Sequence, residues 1–313
     1  MLSRRSVRVK VMQLLYTQDR DSSIKEKELY KAYNNYIDQS YELFLFSLFV
    51  IEKICQRAIE DMKKRKAKHL PSEYDKHFTE KLYTNEIISA ITSNNYLKRL
   101  FEKKDFPSKI NQDYIARIYE TFSKKEEYRK YIEEKTEQDH EAHLQILLEM
   151  YRFCRQNEYF NEILEDSYYN WLDDKSLVVG AVKKYLKGIP DDNEKLVEEF
   201  MPDDETVKEF GLNLLDYSLK NKETYMSNII PVLENWDHER LALVDTILLR
   251  LAICEMLEFP TIPAKVTLNE YVELAKQYST AKSKEFINGI LDKLMKDLEK
   301  DGKLNKKGRG LAE

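Results

Sequence analysis

The sequence predicts an all-α protein, and three observations predict it. Glycine and proline number only 7 each in 313 residues, whereas a sheet-rich chain needs more turn residues. Apolar residues recur at the i, i+3, i+4, i+7 spacing of one helix face, as in Ile287, Ile290, Leu291, Leu294 and Leu298. Helix punctuation separates these runs: Pro71, Pro260 and Pro263 interrupt them, because proline lacks a backbone donor and biases the preceding residue away from the α region.

Charge and composition limit the function. Charged residues make up 34% and the formal net charge is -5, a sum that by itself argues against nucleic acid. The distribution says more: residues 1–18 carry Arg4, Arg5, Arg8 and Lys10 with no acid, while residues 191–209 form a dense acidic cluster. No apolar run reaches the roughly 18 residues of a membrane span, the best stretch being residues 43–51, so no membrane contact is expected. Cys55, Cys154 and Cys254 are odd in number and widely spaced, which suits buried, inert thiols in a reducing cytoplasm. No glycine-rich phosphate loop, nucleophile elbow or kinase signature occurs. His140 and His143 could share a helix face but lack further ligands at metal spacing. The pairs Asp173-Asp174, Asp191-Asp192 and Asp203-Asp204 read as loops or caps. The expectation is a protein that is not an enzyme and needs no cofactor or metal.

In chain order, a first helix begins near Ser3 with Val7, Val11, Leu14 and Leu15 as its buried stripe. Arg4, Arg5 and Arg8 in its opening turns oppose the helix macrodipole, each at a few tenths to about 1 kcal/mol. An anionic partner explains that, and guanidinium forks suit phosphate; a solvated basic end or an amphipathic presequence are the alternatives. Residues 24–69 read as one long helix with a core patch at Phe44, Phe46, Leu48 and Phe49, closing in a basic run at residues 63–68. That run either touches RNA or complements the negative helix end. Helical segments over about 75–104, 111–135 and 138–172 follow, and residues 188–193 are the clearest loop. Helical spacing returns at Phe210, Leu214, Leu215 and Tyr217, then at Tyr225, Ile229, Ile230 and Leu233 before Trp236.

A central helix over residues 241–257 is apolar almost all round, interrupted by Asp245, Thr246, Arg250 and Glu255. Thr267-Leu-Asn-Glu270 has the pattern of a capping box with Val266 stapled to Tyr271, so the next helix is expected to start at Thr267. A last helix carries Phe286 and Asn288 beside its buried face. The tail 301–313 is basic, holds Gly302, Gly308 and Gly310, and is expected to be disordered.

The runs I-L-L-R-L-A-I-C-E-M-L, I-P-A-K-V-T-L-N-E-Y-V-E-L-A-K and F-I-N-G-I-L-D-K resemble the carboxy-terminal half of the NusB family of bacterial transcription antitermination factors. The opening S-R-R-S-V-R-V-K-V-M-Q-L-L-Y is similar to that family's arginine-rich helix. The resemblance implies a NusB-like helical bundle made from residues 1–20 and 205–300, with residues 21–204 a helical insertion of unknown role. It implies non-catalytic binding of boxA-like single-stranded RNA together with NusE, a small-subunit ribosomal protein, within the RNA polymerase antitermination complex, and leaves a homodimer open. RNA is read on unpaired bases stacked on aromatic or guanidinium planes. The candidates are Arg4, Arg5 and Arg8 for phosphates, Tyr16 and Phe286 for stacking, and Arg250, Ser283, Lys284 and Asn288 for polar contacts; of these Arg250, Ser283, Phe286 and Asn288 match the family's runs, and Asp245 matches a position where the family presents an acid near NusE. Together they would form a cradle in which the first helix folds against the last ones. Ser6 shortens the family's arginine run, and Lys284 stands where a histidine is expected. The competing readings are a helical scaffold that binds polymerase or another protein, and the RNA-binding module of an RNA-modification system.

Overall fold

The computed structural model describes residues 2–134, 139–233 and 241–307. Among these, every regular element is helical, as the scarcity of turn residues requires. The chain divides into two compact units, a continuous one (Asp38–Met201) and a split one (Leu2–Ile37 with Pro202–Glu313). Helix α1 (Arg4–Arg20) lies in the split unit, and α2 (Glu26–Lys66) begins there and runs on into the continuous unit.

The continuous unit follows with α3 (Glu73–His77), α4 (Lys81–Thr84), α5 (Glu86–Ser93), α6 (Asn95–Lys103), α7 (Phe106–Lys109), α8 (Gln112–Phe122), α9 (Glu126–Glu133), α10 (His140–Cys154), α11 (Glu158–Ser167), α12 (Trp171–Gly188) and a 3-10 turn (Leu196–Phe200). Its core is aromatic around α2: Phe44 stacks on Phe200 at 4.9 Å, and Phe46 meets Phe106 edge-on at 5.1 Å. Among the described residues, the helical segments expected over residues 75–172 are subdivided into nine helices of 4 to 15 residues, α3 to α11, with α12 starting at Trp171. The reason is local: the Asn85, Asn94, Asn111 and Asn157 side chains accept backbone N–H groups of Ile88, Leu97, Asp113 and Phe160, starting new helices. Apolar periodicity runs on across such breaks, so spacing alone overlooks them. His140 meets Glu86, and His143 meets Tyr131, so both histidines have structural partners.

The split unit continues with a π-helical segment (Glu205–Leu212), α13 (Asn213–Lys220), α14 (Lys222–Ile229), a 3-10 turn (Ile230–Val232), α15 (Leu243–Glu258), α16 (Ala264–Tyr278) and α17 (Ser283–Lys300). The central helix is α15, and every residue from Ile247 to Met256 is buried. Around it pack α1, α13, α14, α16 and α17, and α17 turns Ile287, Ile290, Leu291, Leu294 and Leu298 inward as its periodicity demands. Trp236, with residues 237–240, lies outside the described residues, as do Gly308 and Gly310.

Two further expectations are corrected. Helix α16 starts at Ala264 with Pro263 as N-cap, not at Thr267. Proline's fixed φ and missing N–H suit a helix entrance, so Thr267 and Glu270 are inside the helix and available to other partners, and Val266 is exposed. Residues 301–307 of the tail have defined contacts with the rest of the unit. Gly302 adopts φ 66°, the Lys303 N–H returns to the Leu298 carbonyl, and the Lys306 ammonium donates to the carbonyls of Glu255 and Phe259 at 3.3 and 3.0 Å. Those carbonyls, at the C-terminal end of α15, also accept the Phe259 and Ile262 N–H groups, and the negative end of the helix favours the added cation.

Candidate nucleic-acid interface

Helix α1 starts at Ser3, whose side chain accepts the Ser6 N–H at 3.2 Å. Its apolar stripe, Val7, Val11, Leu14 and Leu15, is fully buried, which commits the intervening arginines to fixed directions. It packs on α15, α13 and the π-helical segment. The approach at that segment depends on Gly211: a Cβ there would lie 2.0 Å from Tyr33 Oη and 2.3 Å from Val7 Cγ1.

The arginine turn meets carboxylates from three elements. Arg8 is 3% exposed and donates from Nε and Nη2 to the two oxygens of Glu255, each at 2.7 Å, and from Nη1 to Glu270 at 3.2 Å. Thr267 Oγ1 and Tyr271 Oη donate to the same Glu255 carboxylate at 2.8 and 3.2 Å, so this buried anion has four donors. The Arg8 guanidinium also lies 5.1 Å from the Phe210 ring centroid. Burial works to lower the Arg8 pKa, but the hydrogen bonds and charge of Glu255 outweigh it and the net direction is upward. Burial, then the Glu255 charge, pushes the Tyr271 hydroxyl well up. Arg5, half exposed, forks onto Glu270 at 2.9 and 2.7 Å, and that hydrogen bond holds the Glu270 carboxyl below the usual range against burial. Arg4 reaches Glu205 at 2.7 Å, a solvent-exposed pair of small energetic weight. The anion that the basic helix start calls for is thus supplied, at least in part, inside the chain.

The remaining candidates sit elsewhere on the unit. Arg250 is 1% exposed and donates from Nη1 to Asp19 at 2.6 Å; Lys222 takes the other Asp19 oxygen at 2.6 Å. Ser283 is buried and donates to Asp245 at 2.8 Å, and Asp245 is itself 5% exposed. As placed, Arg8, Arg250, Ser283 and Asp245 face internal partners. On the solvent side stand Arg5, Tyr16 (40% exposed) and Asn288, with Arg4, Lys284 and Phe286 half-buried.

Along α15 the three contacts fall in order: Ser283 at Asp245, Asp19 at Arg250, Arg8 at Glu255. At 1.5 Å per residue the first and last are roughly 15 Å apart. The arginine turn is thus anchored at one end of α15 and the start of α17 at the other. Glu255, Thr267, Glu270 and Asp19, which orient the cations, were not singled out from sequence for that role. Their one signal was Glu255 as one of four polar interruptions of an apolar helix, and the Thr267–Glu270 spacing read as a cap.

The architecture defines a class: a helical bundle about one buried central helix, with a cationic first helix fixed to it by internal carboxylates. Residues 181–296 match the NusB family. The chain is 40% identical over 116 residues to the transcription antitermination protein NusB of Salinibacter ruber, covering 37% of this chain and 72% of that protein. It is 42% identical over 112 residues to that of Methylacidiphilum infernorum (36% and 78%) and 37% identical over 132 residues to that of Chloroherpeton thalassium (42% and 59%). The chain belongs to the NusB family. No solved structure matches it. No helix among the described residues is long and apolar enough to cross a membrane, and none of them form a group of His, Cys, Asp and Glu that could hold a metal ion.

Proposed function

We propose that this chain is a non-catalytic, cytoplasmic transcription antitermination factor that binds boxA-like single-stranded RNA of nascent ribosomal transcripts together with NusE, within the polymerase antitermination complex. That its relatives are transcription antitermination proteins supports the class. The observation that carries RNA binding is on α1: Arg5 and Tyr16 are eleven residues apart, close to three whole helix turns, so a cation and an exposed aromatic ring share one face roughly 16 Å apart. A single strand along that face would set phosphates against Arg5 and Arg4 and a base on Tyr16, and would meet Lys284, Phe286 and Asn288 at the start of α17. Arg8, Arg250, Ser283 and Asp245 act from within by orienting α1 and α17. NusE adds affinity because two weak surfaces share one short RNA.

The test is a gel shift of the full chain against boxA-like RNA, with and without NusE. The expected result is salt-sensitive, sequence-selective binding, strengthened by NusE and lost in Arg5→Ala and Phe286→Ala. Equal weak binding to any RNA, unaffected by either substitution, would replace this reading with that of a helical scaffold.

A further inference from the structure

The basic end of α2 lies in the continuous unit, outside residues 181–296 that match the family. Five of the six residues at 63–68 are cationic. The carboxylates around them are already occupied. Arg65 pairs with Asp61 and with Asp75, each at 2.9 Å, Lys68 pairs with Asp75 at 2.9 Å, and Glu60, one turn back, is held by Arg57 at 2.8 Å. Lys63, Lys64 and Lys66 are exposed, and none has an ion pair among the described residues. The helix C-terminus offsets only about half a charge, so three lysines exceed what the dipole requires.

The Arg65 guanidinium lies over the rings of Tyr74 and Phe78, 5.0 and 4.6 Å from their centroids. Tyr74 also carries Arg129 of α9 at 5.1 Å from the same ring. Arg129 is exposed and has no ion pair among the described residues. It adds a further cation without an ion pair, with a planar face, on the Arg65 side of the helix end, while Lys63, Lys64 and Lys66 fan over the side turned away from Tyr74.

We infer that Lys63, Lys64, Lys66 and Arg129 form a second RNA-binding surface, one that holds the phosphate backbone of single-stranded RNA flanking the segment bound by the split unit. The surplus of mobile lysine charge fits a polyanion read by charge alone. The Arg129 plane on Tyr74 fits a nucleic-acid strand better than an acidic peptide, since bases stack on guanidinium planes. The choice of RNA rests on the RNA-binding reading above; the charge surplus does not.

The test is a fluorescence-anisotropy titration of the full chain at several salt concentrations with three labelled RNAs: the short boxA-like segment, that segment with a long unstructured flank, and the flank alone. The variants are Lys63→Gln/Lys64→Gln/Lys66→Gln and, separately, Arg129→Gln, with unfolding curves to check that each is folded. The flanked RNA should bind wild type more tightly than the short one. The triple variant should lose that advantage and lower the log–log salt slope by about 2, at about 0.7 per single-strand phosphate contact, with short-RNA binding unchanged. Arg129→Gln should lose part of the advantage. No advantage of the flank in wild type, variants that bind all RNAs as wild type does, or equal weakening on short and flanked RNA would each overturn the proposal. So would polyglutamate competing for the surface as well as the flank does, which would point to an acidic protein. If the short RNA fails to bind while the flank alone binds and is lost in the triple variant, the boxA reading falls and this one stands.

Discussion

Arg8 and Glu255 form a bidentate ion pair, 247 residues apart in sequence and both nearly excluded from water, with Nε and Nη2 each 2.7 Å from a carboxylate oxygen. This pair joins the arginine helix to the central one. Thr267 and Tyr271 satisfy the same carboxylate from α16, so one buried anion sets the mutual positions of three helices.

Breaking that pair from one side leaves a buried charge without its partner, which costs roughly 3–5 kcal/mol. Arg8→Ala and Glu255→Ala should each lower stability by that order in urea unfolding. The double variant Arg8→Met/Glu255→Leu should cost less than the sum of the two single changes, because it buries no charge. Additive losses would show that the pair is not coupled.

Glu270 gives an acid-side prediction. Its folded pKa is lowered, chiefly by the Arg5 hydrogen bond, so its carboxylate stabilises the fold at pH above its unfolded value of about 4.3. That contribution disappears as pH falls through the lower folded value. Melting temperatures measured from neutral to acidic pH should show wild type ahead of Arg5→Ala at neutral pH and the gap closing below pH 4. A gap independent of pH would assign the Arg5 effect to packing.

Lys306 titrates the other way. Burial lowers its pKa to about 8, below the ordinary lysine value of about 10.4. Between those two values the unfolded chain binds the proton and the native chain does not, so this group's contribution to stability rises with pH. Lysine side-chain NMR should show one titration midpoint near 8 that is absent in Lys306→Met. If every lysine titrates normally, the tail does not seat on α15.

At Gly211 the side chains of Val7 from α1 and Tyr33 from α2 press against the π-helical segment. Gly211→Ala should destabilise by about 1–3 kcal/mol, the usual cost of overpacking, because its Cβ would fall 2.0 Å from Tyr33 Oη. Thermal unfolding measures it, and an unchanged melting temperature would mean that the contact gives way freely.

Tyr16 tests the proposed strand path. Tyr16→Ala should weaken binding of boxA-like RNA by about 1–3 kcal/mol, the range for one stacked base, while Tyr16→Phe should bind nearly as wild type. Anisotropy titrations separate the two, and equal losses in both variants would implicate the hydroxyl instead of the ring.

The helical class, the buried stripe of α1, the apolar girth of α15 and the inward face of α17 were all legible in the sequence. Each follows from composition or a short repeat along one helix, and physics acts there over a few neighbouring residues. The short helices between residues 73 and 167 were less legible because asparagine caps restart a helix without disturbing its apolar rhythm. Thr267-Leu-Asn-Glu270 misled for a related reason: a capping box and two inward-facing polar residues share the same spacing, and Pro263 had already started the helix.

By itself, the sequence determined that the chain is helical, that its first helix is cationic, and that its last helices carry the runs that resemble the NusB family. Tertiary structure alone decided which of those cations face water. Arg5 and Arg8 are chemically identical and three residues apart, yet Arg8 is sealed against Glu255 while Arg5 stays half exposed on Glu270. A charge can be buried only where opposite charge and donors converge on it, and the groups that converge here come from residues 255, 267, 270 and 271. Their distance along the chain puts that arrangement beyond any local reading of the first helix.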